Sequence, residues 1–368
     1  MSEPMLSVVV PVRNGLKVLP RSLGALEASD LPRDLWELIV VDDASTDETP
    51  ALAARWADVV VRIPDSPHGP GYARNRGVEM ARCPVVAFID ADVVVHRDTL
   101  RRIVWTFARD PELGAVFGSY DDRPPAPGVV SRYRNLLHHW HHQRNPGEAD
   151  TFWAGCGAVR RSVFLEAGGF DEWHYRRPSI EDIELGHRIS HLGARIHIRP
   201  DIQCAHLKQW SLWNVLRTDL MDRGIPWMRL LLQEGKMGQR RSLNLKPIER
   251  INTALAGLAL VAVVLAIGLR DPRFLLGVAG PLAVMLVSNL PFYAFLARAG
   301  GIGFALASVP LHLAYYVVNG VCVVLGWLAH HVMGEPVPDA PIQAMAEVGV
   351  ERWPPVPARL SVGAWAPR

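Results

Sequence analysis

The sequence predicts an α/β domain with a mostly parallel sheet, followed by helices apolar enough to cross a membrane. Three observations carry this expectation. Short β-branched runs alternate with helical stretches over the first part of the chain. Two of those runs end in paired aspartates, at Asp42/Asp43 and Asp90/Asp92. From residue 251 to residue 333 the chain turns mostly apolar, an asymmetry hidden inside an overall hydrophobic content of 49%.

The 368 residues allow two or three domains. Lys plus Arg (39) nearly balance Asp plus Glu (37), so no global charge points to nucleic acid. Cys83, Cys156, Cys204 and Cys322 are scattered without a CxxC pair, which predicts reduced, buried thiols rather than a disulfide framework. The opening residues, Met-Ser-Glu-Pro-Met-Leu-Ser, carry no basic or apolar leader pattern, so no cleaved signal is expected.

In chain order, residues 6–12 form an apolar run ending at Pro-Val-Arg-Asn-Gly and predict a buried strand. Residues 18–28 have helical periodicity. Residues 38–41 predict a second strand, with Ser45 or Thr46 able to cap the next helix. Residues 59–63 predict a third strand. The glycine-containing segment 69–77 opens another helix, and residues 85–95 follow as Val-Val-Ala-Phe-Ile-Asp-Ala-Asp-Val-Val-Val. A continuous β-branched run of this kind suits a strand buried on both faces. Two carboxylates at its end suit either a turn in solvent or a cation site. In open α/β sheets ligands gather outside the carboxyl ends of the strands, where both acid pairs fall. The Walker A pattern and a full GxGxxG are both missing, which leaves P-loop and dinucleotide readings poorly supported.

The segments Val-Val-Val-Pro-Val-Arg-Asn-Gly, Val-Asp-Asp-Ala-Ser-Thr-Asp, Ala-Arg-Asn-Arg-Gly and Phe-Ile-Asp-Ala-Asp occur in this order and spacing. Together they resemble the family 2 glycosyltransferases of GT-A fold, over roughly residues 6–227. The resemblance implies a nucleotide-sugar donor, with Pro11, Asp42, Asp43, Arg74 and Asp90 on the donor side. It implies a divalent cation, Mg²⁺ or Mn²⁺, held by Asp92 with Asp90, and His206 as a further ligand; a satisfied core histidine is the plain alternative for His206.

The helix predicted over residues 129–143 carries His138, His139, His141 and His142. Adjacent helical positions face different ways and no acidic or Cys partner has zinc spacing, so the expectation is an amphipathic helix near the membrane or over the cleft. Residues 151–160 set small residues between aromatics, including Trp153, which suits close approach of a sugar to the backbone. Ser179-Ile-Glu-Asp-Ile-Glu opens a helix with Ser179 as expected cap, and its acids also suit the helix dipole. By the family match Asp182 is the base that deprotonates the acceptor hydroxyl, and Glu181 orients or binds acceptor. Residues 210–232 predict an amphipathic helix interrupted at Pro226. The Arg223-Gly-Ile-Pro-Trp227 segment resembles, but departs from, the Gln-x-x-Arg-Trp motif of membrane-linked relatives. It implies Arg223 at the leaving diphosphate and Trp227 stacked on the acceptor sugar.

Residues 251–269, 274–297 and 302–329 are long apolar runs, each sufficient for a hydrocarbon core of about 30 Å. Asn289-Leu-Pro291 interrupts the second and leaves room for a re-entrant segment. Lys236, Arg240, Arg241, Lys246 and Arg250 precede the first, which predicts a cytoplasmic catalytic domain on a cell-membrane protein. The expected organisation is residues 1–235 catalytic, 236–250 a basic juxtamembrane linker, 251–333 about three membrane helices, and 334–368 a Pro-rich disordered tail.

The function expected is transfer of a sugar from a nucleotide-sugar donor to a lipid-linked or membrane-proximal hydroxyl, inverting and metal-dependent. A polyprenyl phosphate is the competing acceptor; it is already ionised and needs no base, so the Glu181-Asp182 pair favours a hydroxyl. A non-catalytic nucleotide-sugar-binding scaffold and a nucleotidyltransferase are the other classes. The intact acids weigh against the first and the lack of a basic phosphate loop against the second.

Overall fold

A computed structural model describes residues 4–64, 66–175, 177–235, 246–334 and 351–352. The first half runs β1 (Leu6–Val12), α1 (Leu19–Glu27), β2 (Trp36–Asp43), α2 (Thr49–Ala53), β3 (Val59–Ile63), α3 (Pro70–Met80) and β4 (Val85–Ile89). There follow β5 (Val93–Val95), α4 (Thr99–Arg109), β6 (Leu113–Tyr120), α5 (Val129–Gln143), β7 (Gly147–Ala149), β8 (Cys156–Arg160) and α6 (Arg161–Glu166). The α/β part ends with α7 (Glu181–His191), β9 (Arg195–His206), α8 (Leu212–Arg217), a π-helical turn at Thr218–Gly224, and α9 (Ile225–Gln233). The apolar region comprises α10 (Pro247–Gly268), α11 (Leu276–Ser288), α12 (Leu290–Gly300) and α13 (Ile302–Met333), and a two-residue β10 (Glu351–Arg352) comes last.

One sheet joins the strands in the order β10-β3-β2-β1-β4-β8-β6-β9-β5, with β7 on β9. It is parallel from β3 to β4, as the alternating pattern predicts. Beyond β4 it is mixed, because β8 runs antiparallel to both β4 and β6. Period-two alternation sends β1 to two cores. Val8 and Val10 meet Leu19, Leu23 and Leu26 of α1, while Val9 meets Tyr72, Ala73 and Val78 of α3. Burial on both faces explains the unbroken valine run.

Several local expectations change. β9 runs from Arg195, where β6 and β7 pair with its first half. Ser179 does not cap α7. Ile180 holds that position, and the Ser179 hydroxyl donates instead to the Asp222 carbonyl. Neither Ser45 nor Thr46 caps α2; Asp47 accepts from the Thr49 amide at 3.0 Å, while Ser45 Oγ accepts from Asn14 N at 2.7 Å. Pro226 starts α9, and the π-turn before it absorbs the register change.

Two helices, α10 and α13, are long and apolar enough to cross a membrane; α11 with its preceding turn and α12 are bent by 57° at Asn289. Within the expected tail, Glu351 and Arg352 pair antiparallel with β3. The other tail residues from 335 onward, with Lys236, Arg240 and Arg241 of the expected linker, lie outside the described residues.

Gly77 shows how closely α3 sits on the sheet: a Cβ there would meet Val9 Cγ1 at 2.3 Å and Val41 Cγ2 at 3.2 Å. Gly24, also helical, has nothing within 4 Å. Gly77→Ala is expected to destabilise the protein by about 1–3 kcal/mol through overpacking. Gly24→Ala should be neutral or stabilise by up to about 1 kcal/mol. Chemical denaturation midpoints of the two variants check this pair.

Candidate active site

The carboxyl ends of β1, β2 and β4 open into a cavity of about 890 Å³, within the range of small-molecule sites. Pro11, Asp43, Arg74, Asp90, Asp92, Trp153, Glu181, Asp182, His206, Arg223 and Trp227 all line it. Eleven side chains scattered from residue 11 to residue 227 thus converge. Asp42 is the exception among the residues expected there. Adjacent strand residues face opposite ways, so Asp43 meets the cavity and Asp42 is wholly buried behind it. Asp42 Oδ2 accepts from Ser45 N at 3.3 Å and Oδ1 has no partner; burial outweighs that bonding and raises its pKa.

Asp43 closes the turn into α3. Its two oxygens accept from the amides of His68 and Gly69, both at 2.8 Å. Gly69 has φ +96°, a conformation that suits glycine. One turn into α3, Arg74 lies buried between two acids, with Nη1 3.0 Å from Glu181 Oε1 and Nη2 2.7 Å from Asp90 Oδ1. Glu181 Oε2 also accepts from Ser179 N at 2.8 Å. Both Glu181 oxygens are therefore engaged in holding the start of α7, which suits a positioning group better than an acceptor-binding one.

Asp182 is the next residue. Its Oδ2 accepts from Ala154 N at 3.2 Å and its Oδ1 from Ile183 N at 2.8 Å. Burial and the neighbouring Glu181 charge push its pKa up to about 7, against the opposing pull of Arg74. A carboxylate with that affinity for a proton is matched to general-base work near neutral pH.

Across the sheet the pairing of Val93 with His206 brings Asp92 beside the end of β9. Asp92 Oδ2 lies 3.4 Å from His206 Nε2, and the Leu207 amide donates to the Asp92 carbonyl at 2.8 Å. Burial opposes charge on Asp92, but the His206 contact and Lys208 outweigh it and hold its pKa below the usual value. His206 Nδ1 is 3.0 Å from Asn135 Oδ1, and its ring stacks on Tyr120 at 4.7 Å. With Nδ1 donating to that oxygen, Nε2 is the ring nitrogen that meets Asp92.

Among the described residues no group of three or more His, Cys, Asp or Glu could hold a metal. Asp90 is engaged by Arg74, which leaves one carboxylate and one imidazole. These fit a divalent ion that keeps few protein ligands and completes its shell with phosphate oxygens and water. Asp92 and His206 are the residues that would hold it, and Asp90 would stand outside.

The face of α5 that meets the cavity was not assigned from the sequence. Arg134, Asn135, His138, His141 and His142 line it, with Lys208, Trp210 and, from α13, Tyr315 and Asn319. Their 134/135/138/141/142 spacing is one helical stripe, which turns the expected amphipathic helix toward the cleft. Burial, with neighbouring positive charge, pushes His141 down to about 3 and His138 well below its usual value, so these rings stand neutral. His138 Nδ1 and His141 Nε2 have no protein partner. Trp153 packs against His138 and Tyr120, closing the wall between α5 and the β8 loop.

Residues 7–168 match the family described as glycosyl transferase family 2. The probable glycosyltransferase YdaM of Bacillus subtilis (strain 168) is 27% identical over 230 residues, covering 58% of this chain and 54% of that protein. The pre-mycofactocin glycosyltransferase of Mycobacterium tuberculosis is 30% identical over 224 residues, covering 55% and 44%. The chain spans about half the length of the curated relatives it matches. Among solved structures, the mannosyltransferase PcManGT of Pyrobaculum calidifontis, in complex with GDP-Man and Mn²⁺, superposes with a TM-score of 0.53 at 23% identity, covering 91% of this chain and 89% of that one. Residues 7–168 thus carry a glycosyl transferase family 2 domain, and the chain shares the GT-A fold of that solved neighbour.

Proposed function

We propose that this protein is a membrane-anchored, inverting glycosyltransferase that moves a sugar from a nucleotide-sugar donor to a hydroxyl presented at the membrane surface. The observation that carries the reading is Asp182. It is a carboxylate with a pKa near 7, lining the same cavity as the Asp92–His206 pair and the strand-end acids. Residues 1–235 would be the catalytic domain, 236–250 the basic linker, 251–333 the membrane region and 334–368 the tail. Lys246 and Arg250 flank the first apolar helix, which supports a cytoplasmic catalytic domain at the cell membrane.

In this reading Pro11 and Asp43 border the donor nucleotide, and Arg74 fixes Asp90 and Glu181 around it. Asp182 takes the proton of the acceptor hydroxyl as its oxygen attacks the anomeric carbon. The bond from that carbon to the diphosphate breaks on the opposite face, which inverts the configuration. Arg223 and Lys208 line the cavity where negative charge has to be accommodated. Trp153 and Trp227 offer flat apolar faces to a sugar ring. A Mg²⁺ or Mn²⁺ ion at Asp92 and His206 would neutralise the diphosphate.

Asp182→Asn should lower transfer by about 10²–10⁴-fold and leave donor binding nearly intact. Equal loss of both would remove Asp182 from the base role. Transfer should rise with pH through about 7 as Asp182 loses its proton, and that limb should be missing from the Asp182→Asn profile. A polyprenyl phosphate acceptor would instead leave Asp182→Asn active. Asn135→Ala should raise the Mn²⁺ concentration for half-maximal donor binding about 10–100-fold, because Asn135 orients the His206 ring. Mass spectrometry of products from a panel of nucleotide sugars and a membrane lipid extract identifies donor and acceptor.

A further inference from the structure

The apolar region is not a set of equivalent spans. α13 is 32 residues long, about 48 Å at 1.5 Å per residue. It touches the catalytic domain from one end to the other. Arg132 of α5 lies over the Phe304 ring at 4.5 Å, and Tyr133 OH bonds His312 Nδ1 at 2.9 Å. Tyr315 and Asn319 reach the active-site cavity. Further on, Cys322 Sγ lies 3.5 Å from the Asp219 carbonyl, Gly326 sits against Met228 of α9, and Arg229 donates to the Gly334 carbonyl at 2.6 Å. A helix crossing a hydrocarbon core of about 30 Å would leave such partners behind for some twenty residues. α12 is held the same way, with Phe295 stacked on His139 and Trp140 of α5.

The α10–α11 pair behaves differently. Leu258, Val261, Val264, Ile267, Leu276 and Val287 are each at least half exposed. The far turn between the helices carries charge at Arg270, Asp271 and Arg273. Its near end is closed by polar bonds: Ser288 Oγ donates to Asn252 Oδ1 at 3.0 Å, and Tyr316 OH lies 3.1 Å from Glu249 Oε2. At the 57° bend, Asn289 Oδ1 accepts from His312 Nε2 at 3.1 Å, so the chain turns back onto the catalytic side there. Finally, β10 follows α13 and pairs with β3 of the catalytic sheet.

We propose that the chain crosses the bilayer twice, as the hairpin of α10 with the arm Pro272–Ser288 (the preceding turn plus α11), which at 17 residues is at the short end of what crosses a bilayer, while α12 and α13 lie along the catalytic domain at the lipid surface. This rests on the membrane-anchored reading above. The outer face of α13, with Ile302, Leu306, Val324, Trp327 and Val332, then meets lipid continuously with the hairpin. The inner face forms the floor of the cavity through Tyr315 and Asn319, so a lipid-borne acceptor reaches the sugar donor without leaving the bilayer surface.

The test places single cysteines at Arg55 (catalytic domain), Arg273 (hairpin turn) and His331 (end of α13), in a chain whose four native cysteines are buried. Labelling uses a membrane-impermeant maleimide on sealed vesicles of both orientations. The expected result is that Arg55→Cys and His331→Cys label from the same side, and Arg273→Cys from the other. Labelling of His331→Cys from the far side, with Arg55→Cys unchanged, overturns the topology alone. So does labelling of Arg273→Cys from the Arg55 side. Release of the whole protein by alkaline carbonate overturns the membrane anchorage and the topology with it, a separate result from either labelling outcome.

Discussion

Arg74 is the interaction on which the site depends. A guanidinium removed from water is costly unless compensated, and here Asp90 and Glu181 compensate it on two sides. The three residues come from α3, the end of β4 and the start of α7, so the ion triad ties together three elements that share no local sequence contact. Removing one partner of a buried pair such as Arg74–Glu181 typically costs about 3–5 kcal/mol, because the other charge is left unpaired; Asp90 is only half-buried. The triad also sets direction. It holds Glu181 back against the sheet, and the next residue, Asp182, is thereby turned to the cavity with Ala154 N and Ile183 N on its oxygens.

The same triad divides the acids by partner. Asp90 and Asp92 are two residues apart, yet Asp90 is drawn to Arg74 while Asp92 is drawn to His206. Their electrostatic settings diverge accordingly, as do those of neighbouring Glu181 and Asp182. Glu181 has a full complement of partners. Asp182 is raised by burial and by Glu181 itself, so one carboxylate raises its neighbour's affinity for a proton.

The cavity's second wall has a different character. α5 presents neutral histidines, Asn135 and Arg134, and the aromatic rings of Tyr120 and Trp153 pack around them. Behind α5 lie Phe292, Leu296 and Phe304 of the apolar region, so one helix meets the site on one face and the apolar helices on the other. The His312–Asn289–Tyr316 cluster continues this wall in polar terms, with Tyr133 as its link to α5.

The sequence by itself determined the strand ends. Valine runs closed by aspartates specify buried strands and acidic tips, because burial on both faces demands β-branched residues and the chain turns polar only where it leaves the sheet. β1 and β3 fall on their expected bounds for that reason, α5 falls on its own through its helical stripe, and most of the expected site residues reach one cavity. Tertiary structure alone decided which acid faces the cavity and which partner each acid meets. Whether Asp42 or Asp43 faces the cavity depends on strand register, and whether Asp90 or Asp92 is available depends on an arginine sixteen residues away and a histidine more than a hundred residues away. It also decided that α13, apolar enough to span, is held along the catalytic domain. Hydropathy measures only the transfer of a segment out of water, whereas the contacts of Phe304, His312, Cys322 and Gly334 with α5, the π-turn and α9 fix where that segment lies.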